Sequence, residues 1–184
     1  MRSTTTAAFA GLLSLAVGAT AAPGGEATLA RGAEPDRNPS GEAVTLSRGG
    51  RIDRRNPFFA SLGANGRSCE SCHRPAEGWT ITPAGVRERF EASDGTDPIF
   101  RPVDGANSPN ADVSTRAARE KAYSMLLDHG VIRVGLPIPP GAEFELAKVD
   151  DPYGYASSAE LSLFRRPLPA TNLRLLSTVM WDGR

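Results

Sequence analysis

Apolar residues recur at helical intervals in four stretches of this chain and alternate only briefly elsewhere. Between Asp53 and Gly63, Phe58, Phe59 and Leu62 fall at near-helical spacing, and the glycine predicts the stop of a short helix. After Pro83 the pattern predicts a helix over Ala84 to Ala92. Ser114 or Thr115 is the expected N-cap of a longer helix reaching Asp128, with Gly130 as its stop and Ala118, Ala122, Met125 and Leu126 on one face. The segment from Leu168 onward offers Thr171 as a cap, a short apolar helix and an Asp182-Gly183 turn signal. Strand-like patches at Val131–Leu136 and Phe144–Val149 flank Pro139-Pro140-Gly141, which predicts a small β-ribbon. Asp94 to Asp112 is rich in Pro, Asp, Asn and Gly and reads as loop. The expectation is a mainly α fold with long loops and a small β-hairpin insertion.

The first residues carry a different pattern. Met1-Arg2 is a short positive start, Ala7 to Ala19 is apolar, and Ala19-Thr20-Ala21 offers a small-residue cleavage site before Ala22. The apolar run is shorter than the ~20 residues of a membrane helix, and no later segment reaches that length. Residues 1–21 therefore read as an export signal, and a periplasmic or otherwise exported location follows, with no stable membrane span once the signal is removed. Residues 22–50, rich in Gly, Pro, Ala and charge, read as a flexible leader ahead of one domain over 51–184.

Composition narrows the chemistry. Lys+Arg 21 balances Asp+Glu 21, so the chain lacks the basic footprint that nucleic acid demands. Gly 19 and Pro 15 favour loops, and aromatics are only 7% of the chain, too few to fill a large core easily. A bulky apolar cofactor would relieve that shortage. With His 2 and one of them in the motif below, no Ser-His-Asp arrangement is legible, and no glycine loop with a Lys-Ser/Thr ending is present.

The chain has Cys 2, and both lie in Ser68-Cys69-Glu70-Ser71-Cys72-His73-Arg74-Pro75. Cys-x-x-Cys-His is the c-type haem attachment pattern. The spacing puts both thiols on one turn of backbone, where each can add to one haem vinyl group, and His73 follows at once as the proximal iron ligand. Three other chemistries share parts of this pattern. A Cys69–Cys72 disulfide would close too short a loop to stabilise much. A thioredoxin-like pair normally sits beside a βαβ unit. A zinc site wants further N or S ligands, and His129 is the one other histidine. Haem c, bound through Cys69, Cys72 and His73, is the cofactor the sequence favours, and a cytochrome c-like haem domain is the corresponding fold expectation.

The run NPFFASLGANGRSCESCHRPAEGWT resembles the opening haem segment of the bacterial di-haem cytochrome c peroxidases: a Phe-Phe pair, an Asn-Gly, Ser-Cys-x-x-Cys-His, then a Pro and an aromatic-Thr pair. RRPLPATNLRLLSTVMWDGR is similar to a second family anchor, an Asn-bearing helix ending in Trp-Asp-Gly-Arg. The resemblance implies an electron-relay role for Trp181, the tryptophan of that anchor. It also implies a second Cys-x-x-Cys-His, and glutamine and glutamate residues that assist peroxide cleavage, downstream of the anchor. None of these lies within the 184 residues, and 94–162 has no clear counterpart in the shorter peroxidases. Two functions follow as expectations: periplasmic electron transfer through one haem, with a redox partner protein, or the first half of a di-haem peroxidase-like oxidoreductase, with a second haem module as partner. A haem-bearing scaffold or sensor module is a third.

Met180, Met125 and His129 are the candidates for the sixth iron position, which could also be open. Met180 ranks first because it adjoins the family anchor. Met125 shares a core-facing stripe, and His129 suits the last turn of a helix, where a cation meets the dipole. Arg67 and Arg74 flank the motif as possible partners of haem propionates, and Trp79 is expected against the haem edge or the core.

Overall fold

The computed structural model describes residues 32–179. The export signal expected over 1–21 lies outside them, as do Met180 and Trp181. The described chain is not mainly α, and it is not a cytochrome c-like bundle. Its helices are short: α1 (Pro83–Ser93), α2 (Arg116–Ala122) and α3 (Ser124–His129). They share the structure with two antiparallel two-stranded sheets and much irregular chain. The reason is local. The apolar spacing around Phe58 and Leu173 continues for too few residues to sustain helical turns, so each site closes only a 3-10 turn, at Pro57–Phe59 and Leu173–Leu175. Asn172, rather than Thr171, precedes the second turn, in a left-handed conformation.

The first sheet falls inside the stretch read as a flexible leader. Strands β1 (Ala33–Asn38) and β2 (Gly41–Leu46) pair from Ala33 opposite Leu46 to Asn38 opposite Gly41. The Asn38 side chain accepts from Ser40 N at 2.9 Å, closing the turn, and donates to the Ala76 carbonyl at 2.8 Å. Ala43 and Thr45 are the half-buried positions of β2, while Val44 and Leu46 are exposed at 46% and 71%. Apolar residues on the outer face disguise the alternation that marks a strand.

α1 starts as its sequence dictates. Thr82 Oγ1 accepts from Gly85 N at 3.1 Å, Pro83 occupies the first turn, and Val86 and Phe90 point inward. The longer helix expected up to Asp128 does begin after Thr115 and end at Gly130, which takes φ 61°. It breaks at Tyr123. Asn107 occupies the break, accepting from Met125 N at 3.1 Å and donating to Ser124 Oγ at 2.8 Å, while its own N–H bonds to Ala122 O at 2.7 Å. These bonds replace intrahelical partners and allow Tyr123, Leu126 and Leu127 to enter the core together. There Phe90 meets Phe100 edge to face, with centroids 5.4 Å apart, and Phe100 meets Tyr123 at a tilt, with centroids 5.1 Å apart.

The second sheet pairs β3 (Ile132–Leu136) with β4 (Leu161–Arg165), not with Phe144–Val149, which forms no strand. Arg133 selects the partner. Its guanidinium is buried and needs acceptors, which it finds in Ser162 Oγ (2.8 Å), Glu160 Oε1 (2.5 Å) and the Val103 carbonyl (2.9 Å). Gly135 makes room for this: a Cβ there would lie 2.5 Å from Glu160 Oε1.

Phe90 is 1% exposed at the centre of the core. Phe90→Ala should lower stability by ~3–5 kcal/mol, measured by chemical denaturation, whereas truncating the exposed Leu62 should change it by less than about 0.5 kcal/mol.

Candidate cofactor-attachment site

The motif folds as one tight turn. Cys69–Ser71 form a 3-10 turn, Ser71 Oγ accepts from Ser68 N at 3.0 Å, and Cys72 N and His73 N both donate to the Cys69 carbonyl at 3.1 Å. Both thiols and the imidazole thus leave the same turn of backbone. The chain then doubles back. Arg74 and Thr80 form a β-bridge, with Arg74 N donating to Thr80 O at 3.0 Å and Trp79 N to Arg74 O at 2.8 Å. Gly78 and Trp79 reverse the backbone with φ of 68° and 60°. Glycine takes that region freely, but a tryptophan there stores ~1–3 kcal/mol of strain.

That reversal delivers the Trp79 carbonyl to His73. Nδ1 lies 2.9 Å from it. A carbonyl oxygen only accepts, so Nδ1 carries the proton, and in the neutral ring Nε2 keeps its lone pair for a metal. Fixing the ring through Nδ1–H in this way is how metal-binding histidines are oriented. The same oxygen accepts a second bond, from Ala170 N at 3.0 Å. Phe58 stands beside the ring, with centroids 6.1 Å from His73 and 5.8 Å from Trp79, and Phe59 lies 6.3 Å from Trp79. Trp79 is buried, and its indole N–H donates to Thr45 Oγ1 at 2.8 Å. A cleft of about 570 Å³ opens beside Phe58, Phe59, Trp79 and Thr45; it includes Asn56 and Ala170 but not the cysteines.

Neither cysteine is in a disulfide. Cys69 is exposed, whereas Cys72 packs against the core. Burial pushes the Cys72 thiol up, opposed by the nearby Arg67 and Arg89 guanidinium groups. Those arginines are themselves engaged. Arg67 meets Asp104 through paired contacts of 3.0 and 2.8 Å, a bond that raises its own pKa. Arg89 donates to the Ser71 carbonyl at 2.6 Å and to Asp97 at 3.1 Å. Arg74 lies 3.8 Å from Glu77. Of the two arginines expected near propionates, Arg67 is committed to a carboxylate of the chain, and Arg74 remains 44% exposed.

The structure therefore brings together Cys69, Cys72, His73 and Trp79. Met125 is half-buried on α3, with its N–H on Asn107. His129 is exposed in the last turn of α3, and neither joins the ring cluster around His73. Among the described residues no group of three or more His, Cys, Asp or Glu side chains is gathered for a metal. A porphyrin supplies its own equatorial nitrogens, so one imidazole and two free thiols on one turn fit haem c. Thr45, Asn38 and Ala170 were not legible as site residues. The Asn38-Pro39-Ser40-Gly41 turn signal was the one available clue to the hairpin that carries the first two.

No family model, curated protein or solved structure matches this chain.

In haem-free, reduced protein, iodoacetamide should modify Cys69 first and Cys72 on the order of tenfold more slowly at neutral pH. Because the raised pKa leaves less thiolate, the Cys72 rate should go on climbing above the pH at which an ordinary thiol levels off. Peptide mass spectrometry of timed samples reads both rates.

Proposed function

We propose that this chain is an exported c-type haem protein that transfers electrons through one haem held by Cys69, Cys72 and His73. One observation carries the reading. On the turn that bears two free thiols, the imidazole is fixed by a carbonyl on Nδ1, which leaves Nε2 for iron. When bound, the haem supplies a one-electron ferrous–ferric couple. The chain's own residues do the rest. Cys69 and Cys72 tether, His73 ligates, and the Trp79 carbonyl holds the ring in one tautomer and orientation. Phe58 packs beside the half-buried imidazole and limits how freely the ring can turn.

This reading places the attachment motif on a fold of short helices and small sheets, so the chemistry stands on the site rather than on the architecture. A redox partner protein, or a module bearing a second haem, is the partner class it requires. The periplasm, or another exported compartment with haem-attachment machinery, is the location it requires.

Production of the full chain in a host with active haem-attachment machinery tests the proposal. The wild type should carry one covalent haem by intact mass and show reversible one-electron oxidation. Cys69→Ser and Cys72→Ser should each retain at most one thioether with reduced yield, and the double variant should hold no covalent haem. A colourless wild type with both thiols free would refute the assignment.

A further inference from the structure

Trp79 is where three distant parts of the chain meet. Its carbonyl takes His73 Nδ1–H at 2.9 Å and Ala170 N–H at 3.0 Å, and its indole N–H reaches Thr45 Oγ1, on β2, at 2.8 Å. Its backbone sits at φ 60°, a region a tryptophan leaves unless its surroundings hold it there. The backbone bond from Trp79 N to Arg74 O fixes one end of the residue. The Thr45 bond and the Phe58 and Phe59 rings fix the side chain. The hairpin is in turn anchored beside the motif. Asn38 donates to Ala76 O at 2.8 Å, and Arg54 pairs with both Glu34, at 3.6 Å, and Glu70, at 3.0 Å.

We infer that Trp79 is the positioning residue of His73, and that the β1–β2 hairpin, through Thr45, sets how firmly the imidazole is held. The inference rests on the haem assignment above. A carbonyl aimed squarely at Nδ1–H makes the imidazole more electron-rich and so favours the ferric state. If Thr45 lets go of the indole, the Trp79 backbone relaxes from φ 60°, its oxygen withdraws from Nδ1 and the ferrous state gains. A segment remote in sequence from the motif thereby tunes its potential. Ala170 shares the same acceptor, so the chain leading toward the Trp-Asp-Gly-Arg run bears on it as well.

The test compares haem-loaded full chains. Thr45→Val keeps the shape but loses the hydroxyl, Trp79→Phe loses the indole donor, and Thr45→Ser keeps the bond. Val44→Ala trims the exposed face of the same strand. Thr45→Val and Trp79→Phe should each raise the midpoint potential. Each should also speed solvent exchange of the His73 Nδ1 proton, followed by NMR in the reduced protein, on the order of tenfold, the loss of roughly one hydrogen bond. The double variant should go no further than either alone, and Thr45→Ser and Val44→Ala should match wild type. Haem-loaded Thr45→Val with wild-type potential and exchange overturns the inference while leaving the haem assignment intact. So does an equal loss of haem from Thr45→Val and Thr45→Ser. A colourless wild type overturns both.

Discussion

The hydrogen bond between His73 Nδ1 and the Trp79 carbonyl organises the surroundings of the motif, because several unrelated segments are arranged to present that one oxygen. The Arg74–Thr80 bridge folds the chain back, Gly78 and Trp79 turn it through left-handed conformations, and Ala170 arrives to share the acceptor. A side-chain ligand acts reliably only when its ring has one orientation and one tautomer. Side-chain packing fixes the orientation, and a carbonyl, which cannot donate, fixes the tautomer.

The turn that carries the thiols is held separately, from the core side. Cys72 packs on the cluster built around Phe90, Phe100, Tyr123 and Leu126. Arg89 leaves α1 to bond the Ser71 carbonyl while pairing with Asp97, and Arg67 clamps Asp104. These pairs are partly buried and bonded at several atoms, so they bear more on geometry than exposed ion pairs do. The motif is thus pinned between the helical core on one side and the Trp79 reversal on the other, which compensates for a scaffold with little regular structure.

Features governed by a few adjacent residues were legible in the sequence. Thr115 and Gly130 bound the α2–α3 stretch as caps should, Pro83 opens α1, and Cys69-x-x-Cys72-His73 falls on one turn. What depended on distant partners was not. The break at Tyr123 depends on Asn107, and the choice of β4 over Phe144–Val149 depends on burying Arg133. The mainly α expectation failed because apolar spacing over three or four residues closes a 3-10 turn as readily as it starts a helix. The hairpin within 22–50 was hidden because β2 turns Ala43 and Thr45 inward and leaves Val44 and Leu46 outside. The approach of Trp79 to His73 runs through a backbone atom, which no choice of side chain announces.

The hairpin also bears on how the molecule behaves in a crowded compartment. A two-stranded ribbon with Val44 and Leu46 outside offers unsatisfied backbone groups beside sticky surface, the combination through which extended segments recruit one another. Its first strand answers with Glu34-Pro35-Asp36-Arg37, in which the proline lacks a donor and the flanking charges resist close approach by a like strand. This sequence would make a poor template for another chain, so the ribbon can stay small and peripheral without becoming a nucleus for aggregation.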